Sequence, residues 1–225
     1  MIVRHIDIIP GIGPQENFSV VKKRVTQVAP FVDWIHIDIA DGKLVPNKTL
    51  LDPAPFKGLI QETKKDFELH MMVDSPFTSA RKWVEAGFGR LIMHIESVSN
   101  TGTIRDTMHT MKNTYKDLQI GLAIDRDTPV ESVFPFLAAI DTILVMTIKA
   151  GFSGQKFIPE LLEKVKVLRA KKYYLPITVD GGINDETSMQ VIEAGASRLV
   201  STSYIFKAKD TKEAIEMLKR RPPLE

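Results

Sequence analysis

The stretch PITVDGGINDETSMQVIEAGASRLVSTS, residues 176–203, decides the fold. A β-branched run, Ile177 to Val179, ends in Asp180 and the paired glycines Gly181 and Gly182. The segment NDETSMQVIEAG then carries helical periodicity from Asn184 to Gly195, and a second β-branched run, SRLVSTS, follows at once. Asn, Asp and Ser favour helix starts and glycine favours stops, so the stretch reads as strand, turn, helix, strand. A helix joining consecutive strands argues for parallel strands with a right-handed crossover.

Working outward, the same unit recurs along the chain. The candidate strands are HIDIIP (5–10), WIHIDI (34–39), DFELHMMV (66–73), RLIMHIE (90–96), QIGLAID (119–125), TILVMTI (142–148), PITVDGG (176–182) and SRLVSTS (197–203). Between them lie amphipathic segments such as NFSVVKKRVTQVAP, SPFTSARKWVEAG, FIPELLEKVKVLRAKK and KDTKEAIEMLKRR; KLVPNKTLLDPAPFKGLIQETKK reads as a loop with a short helix. The alternation predicts an α/β protein with a parallel sheet. Eight strands predict a closed (β/α)8 TIM barrel, with an open doubly wound sheet as the main alternative. No linker-like composition breaks the chain, so residues 1–225 read as a single barrel domain.

Composition narrows the partners. Hydrophobic residues make up 44% and charged residues 26%, which is soluble-globular composition. With 30 basic and 28 acidic residues, well mixed, the net charge of +2 gives no reason to expect a nucleic-acid partner or a membrane surface. Cysteine is absent, so disulfides and thiolate zinc sites are excluded and any metal must be held by histidine and carboxylate. The N-terminal MIVRHIDIIPGIG lacks signal-peptide character and no apolar run is long enough to span a bilayer, so the expectation is a cytoplasmic protein with small-molecule or protein partners.

Strands covered on both faces should be apolar. Several here instead end in polar side chains, at the end of a barrel where catalytic groups sit. The second strand gives His36 and Asp38, the third His70, the fourth His94 and Glu96, and the seventh Asp180. Alternation puts His36 and Asp38 on one face. Singly, each is equally a hydrogen-bonded strand-end residue; together they offer two histidines and two carboxylates to zinc or another divalent metal such as manganese or iron(II). His94 and Glu96 could orient a ligand or be structural. His5 and His109 read as chemically idle. Gly151, Gly154, Gly181 and Gly182 follow strands six and seven, and Ser203 follows strand eight. Loops there commonly bind phosphate, because exposed N–H groups and a helix N-terminus favour an anion.

At these residues the chain resembles the ribulose-phosphate 3-epimerase family, most specifically in HIDIADGKLVPN, LHMMV, LVMTIKAGFSGQKFIPELLEKVKVLR and ITVDGGINDETSMQVIEAGASRLV. The resemblance implies a (β/α)8 barrel that inverts C3 of a ketopentose phosphate, D-ribulose 5-phosphate to D-xylulose 5-phosphate. It implies one divalent metal ion (Zn, Fe(II), Mn or Co) held by His36, Asp38, His70 and Asp180, with Asp38 and Asp180 as the two acid/base groups. It implies a substrate and phosphate site from His70, Met72, Met146, Gly151, Ser153, Gly154, Gly181, Gly182, Thr202 and Ser203, a sugar-phosphate partner and a homo-oligomer. The chemistry suits such residues. Removing the C3 proton of a ketose phosphate leaves an enediolate that a Lewis acid stabilises, and inversion needs one acid/base on each face of it.

Departures from the family pattern bear on the substrate. Gly11 stands where a serine is usual and Ala40 where a methionine is usual, so the site is expected to be roomier there. The loop after strand six reads Lys149, Ala150, Gly151, Phe152, Ser153, Gly154 in place of Asn-Pro-Gly-Phe-Gly-Gly. A Gly-Ser pair is replaced by Thr202 and Ser203, and an Asn-Pro pair by Asp125 and Arg126. Lys149 or Arg126 could add a charge for a phosphate or be solvated. Two further readings stay open: an epimerase for another pentulose or hexulose phosphate, and a non-catalytic phosphate-binding barrel.

Overall fold

Eight parallel strands close on themselves in chain order. In this computed structural model, which describes residues 5–13, 17–97, 101–151 and 154–220, the strands are β1 (Asp7–Ile12), β2 (Trp34–Ala40), β3 (Asp66–Met72), β4 (Arg90–His94), β5 (Gln119–Ile124), β6 (Thr142–Met146), β7 (Ile177–Asp180) and β8 (Arg198–Ser201). β8 pairs with β1, so the doubly wound alternative is excluded. Each strand overlaps its predicted segment.

The helices are α1 (Phe18–Val28), α2 (Ala54–Thr63), α3 (Pro76–Glu85), α4 (Thr101–Thr114), α5 (Leu162–Lys171), α6 (Asp185–Ala194), α7 (Ser203–Lys207) and α8 (Thr211–Leu218). The β5–β6 connection differs: a 3₁₀ segment, Val130–Phe136, stands where a crossover helix is expected. Pro129 precedes it and Pro135 lies inside it, and a proline supplies no N–H to an α-helical ladder. The long segment after β2 folds back on its strand. The Thr49 N–H donates to the Ala40 carbonyl at 3.0 Å and the Thr49 hydroxyl accepts from the Ala40 N–H, also at 3.0 Å.

Side-chain parity sorts the core. Ile35, Ile37 and Ile39 of β2, Phe67, Leu69 and Met71 of β3 and their counterparts in other strands face outward and pack with helix residues such as Val25, Phe56, Trp83 and Val191. This continuous apolar shell lies between sheet and helices, where burial of aliphatic side chains contributes most to stability. The alternate residues fill the barrel. Ala40, Met72, Ile92, Ala123, Leu144 and Met146 form a smaller apolar cluster, but His36, Glu68, His70, Arg90, Thr142 and Thr178 are also fully buried. The expectation of apolar strands therefore holds on the outer face and fails on the inner one. Charge is tolerated there because it is paired: the Arg90 guanidinium bonds the Glu68 carboxylate, donates to Gln119 Oε1 at 2.8 Å and stacks 3.7 Å from the Trp34 ring centroid.

Candidate metal centre and active site

Strand register assembles the site. His36 and Asp38 alternate on β2, so both point inward, and Asp38 is set beside His70 of β3. Asp180 ends β7, separated from β2 around the wall by β8 and β1. One donor atom from each of His36, Asp38, His70 and Asp180 lies within 4.8 Å of all the others. Asp38 Oδ1 is 3.1 Å from His36 Nε2 and 2.8 Å from His70 Nδ1. Asp180 Oδ2 stands 3.9 Å from the first nitrogen and 3.8 Å from the second. Both imidazoles are sealed from solvent, whereas the carboxylates keep an exposed edge at 12% for Asp38 and 15% for Asp180.

The far side of each imidazole is pinned. His36 Nδ1 lies 2.6 Å from Glu68 Oε1, and a carboxylate only accepts, so Nδ1 carries a hydrogen and Nε2 is the atom turned to the cluster. His94 Nδ1 likewise donates to Glu96 Oε2 at 2.9 Å. His94 Nε2 is 2.8 Å from His70 Nε2, so one ring donates to the other. The 2.8 Å contact with the Asp38 carboxylate, which only accepts, puts a hydrogen on His70 Nδ1; a metal bound there would replace that hydrogen, with Nε2 then donating to His94. Glu96 is fixed in turn by the Asp125 N–H at 2.8 Å and by the Thr128 hydroxyl. Lys164 Nζ secures that loop by donating to the carbonyls of Asp125 at 2.8 Å, Arg126 at 2.7 Å and Thr128 at 2.8 Å.

The electrostatics divide the two aspartates. Burial raises Asp180 to about 7, and the Asp38 charge pushes the same way. Burial also opposes ionisation of Asp38, but His36 and His70 outweigh it and hold that carboxyl well below its usual range. For His36, burial is outweighed by Asp38 and Glu68, so its value is raised well above the ordinary one. His70 is lowered to about 4, chiefly by burial, against the hydrogen bond it donates to Asp38. Glu68 falls to about 2 because His36 and Arg90 overcome the burial penalty.

The donor set fits a divalent metal. Two imidazoles and two carboxylates suit zinc, iron(II), manganese or cobalt and carry no preference strong enough to choose among them. The four donor atoms lie within 4.8 Å of one another, near enough for one ion to be held by all four. His36 Nε2 and His70 Nδ1 are the nitrogens that face the cluster.

The cavity above the cluster gathers the other expected residues. Asp38, His70, Met72, Met146, Gly151, Gly154, Asp180, Gly181, Gly182, Thr202 and Ser203 all line it, with Ile148, Ile183 and Val200. His36 lies beneath it, and Ser153, like Phe152, falls outside the described residues. Gly181 has no substitute: φ is +121°, and a Cβ would stand 2.5 Å from Ile148 Cγ1 and 2.9 Å from its backbone nitrogen. An open groove of about 960 Å³ adjoins the cavity through Gly154, Gly182, Ile183 and Ser203, and holds none of the four cluster residues.

Two expectations are corrected. Ala40 leaves no added room, because it is fully buried in the apolar cluster with Val45, Met72 and Met146 and does not line the cavity. Nor does Gly11, whose vacated volume is taken by Thr202 and Val200. Arg126 pairs with Asp127 through two bonds of 3.0 Å, and Lys149 is exposed; neither lines the cavity. Sequence reasoning overlooked Glu68, Arg90 and Asn47. Glu68 precedes His70 by two residues and shares its inward parity, which was the available signal. Asn47 is buried and bonds the Gly151 carbonyl, tying the β2 loop to the β6 loop.

A closed parallel barrel with a His/Asp cluster at its C-terminal mouth, beside glycine turns suited to an anion, defines a barrel enzyme able to hold a divalent metal. A model of the ribulose-phosphate 3 epimerase family matches residues 8–206. The ribulose-phosphate 3-epimerase of Mycobacterium tuberculosis is 35% identical over 194 residues, covering 84% of this chain and 82% of that one. The cytoplasmic isoform from Oryza sativa subsp. japonica is 37% identical over 193 residues, with the same coverages of 84% and 82%. Among solved structures, 3-hexulose-6-phosphate synthase from Salmonella typhimurium superposes with a TM-score of 0.71 at 17% identity, covering 95% of this chain and 97% of that one. At such identity the likeness concerns the fold alone. The chain belongs to the ribulose-phosphate 3-epimerase family, and is thus an isomerase-class enzyme.

Proposed function

We propose that the protein interconverts D-ribulose 5-phosphate and D-xylulose 5-phosphate by inverting C3, with Asp38 and Asp180 as the paired acid and base. The observation that carries this reading is their convergence, from separate parts of the barrel wall, on one cavity shared with glycine loops. A sugar lying across the mouth would have one carboxylate on each side. Asp38, held ionised, takes the C3 proton of one epimer, while Asp180, with its raised affinity for a proton, delivers one to the opposite face; the other epimer reverses the roles. His36, Asp38, His70 and Asp180 would hold the divalent metal, which when bound supplies Lewis-acid stabilisation of the negative charge left on the sugar oxygens. Met72, Met146 and Ile148 exclude water from the reacting carbon, and the turns at Gly181, Gly182 and Ser203 offer N–H groups to the phosphate. The same proposal takes the 225 residues as one domain in a cytoplasmic setting.

The test is proton exchange. With metal and ribulose 5-phosphate in deuterated water, deuterium enters C3 as xylulose 5-phosphate forms. Absence of exchange with any ketose phosphate would favour a barrel that binds without turnover; exchange with a different ketose phosphate alone would reassign the substrate. The filled volumes at Gly11 and Ala40 give no structural reason to prefer a larger one.

A further inference from the structure

The floor of the barrel, at the opposite end from the mouth, carries a second polar cluster that the proposed reaction does not use. Asp7, Trp34, Arg90, Gln119 and Arg198 are each the first residue of a strand. Their neighbours Ile8, Ile35, Leu91, Ile120 and Leu199 belong to the outer apolar shell, so alternation turns the five toward the barrel interior. Two of them are arginines on opposite walls. Arg90 of β4 stands in register with Glu68 and Gln119, and Arg198 of β8 with Thr178 and Asp7.

Pairing on this floor is incomplete. Arg90 bonds Glu68 through Nη1 and Gln119 through Nε, but its Nη2 is buried with no acceptor among the described residues. Arg198 Nη1 is buried without an acceptor in the same way. The carboxylates at hand are already engaged. Glu68 Oε1 takes the His36 Nδ1 hydrogen; Asp7, 35% exposed at the rim, meets His5 Nε2 at 2.9 Å and stands 3.6 Å from Arg198 Nε. Among the described residues Glu68 is the only fully buried carboxylate, and it faces two guanidinium charges. Burial holds Arg198 below its ordinary value and the Arg90 charge adds to this, against Glu68 and Asp7. A buried donor without an acceptor is costly, and more so on a charged group, unless something else satisfies it.

We propose that the barrel floor is a binding site for a small monovalent anion of the chloride class, held by Arg90 Nη2 and Arg198 Nη1. Ile9, Ile92 and Leu144, all fully buried, lie further up the interior and separate the site from the mouth, which favours a compact ion. Trp34, Gln119 and Arg198 keep partial exposure and give it a route from outside. The anion would offset the excess positive charge and brace β4 against β8. It takes no part in proton transfer, so the proposal stands apart from the epimerase reading.

The experiment follows the melting temperature of the full chain as sodium chloride replaces sodium gluconate at constant ionic strength. With chloride about tenfold above its dissociation constant, the wild type is expected to gain roughly 3–6 °C. Arg198→Met, which removes one of the two donors, is expected to lose most of that gain. A wild-type melting temperature independent of chloride, or an Arg198→Met variant with the full wild-type response, overturns the site. Should the variant fail to fold, wild-type crystals soaked in bromide decide. Anomalous density in contact with Arg90 Nη2 and Arg198 Nη1 supports the proposal; water at that position, or bromide at surface side chains as an adventitious ion only, overturns it.

Discussion

At the scale of single residues, Glu68 governs how His36 meets a metal. Its 2.6 Å contact with Nδ1 fixes the ring, and Arg90 fixes Glu68. Glu68→Gln keeps the shape but loses the charge, and is expected to weaken divalent-metal binding about 10- to 100-fold, measured by competition with a chromophoric chelator. Wild-type affinity in that variant would show that the ring is held by packing alone. The same cluster sets a pH dependence. Asp180 is raised to about 7 and His36 well above its usual value, so a metal must displace protons from both. Both shifts are upward, hence affinity falls as pH drops through neutrality and rises above it. A metal titration at pH 6 and pH 8 should show at least about tenfold tighter binding at the higher pH; equal affinities would contradict the proton assignment. His36 and Asp38 were legible from sequence because alternation is a rigid rule. The Glu68–Arg90 pair was missed because a charged residue inside a strand reads as a solvent-facing one until the barrel closes and supplies its partner.

At the scale of elements, α6 anchors the turn that shapes the cavity. Asn184 Oδ1 accepts from the N–H groups of Glu186 at 3.0 Å and Thr187 at 2.9 Å, while the Thr187 hydroxyl accepts from the Asn184 N–H at 2.9 Å and donates to the Gly182 carbonyl at 2.9 Å. This reciprocal cap ties the helix start to the Gly181–Gly182 turn. Asn184→Ala is expected to cost about 1 kcal/mol, or roughly 2–4 °C in melting temperature for a chain of this size. No change on calorimetry would mean that the turn is held from elsewhere. The cap was readable in NDETSMQVIEAG, as were the strands, because both follow from local chemistry. The β5–β6 connection was not, since a 3₁₀ segment has too little periodicity to register and its prolines only forbid an α-helix. The supposed room at Gly11 and Ala40 failed for a different reason: a small side chain shows what is missing at one position, while its neighbours decide whether the gap stays open.

At the scale of the whole molecule, barrel closure turns residues far apart in sequence into one site. β2, β3 and β7 each bring an inward side chain to the same height, and the connecting loops of β6, β7 and β8 frame the space above. Strand spacing alone could not show that Asp180 would reach within 3.9 Å of His36; that follows from the register passing through β8 and β1. The larger groove outside the mouth lacks this convergence, which is why chemistry is assigned to the smaller cavity. The central claim is that two aspartates work from two sides of the sugar. Its most direct measurement is the C3 epimerisation rate of Asp38→Asn and Asp180→Asn, each at matched metal content. The account predicts that both rates fall by about 10²- to 10⁴-fold; substantial turnover in either variant would contradict it.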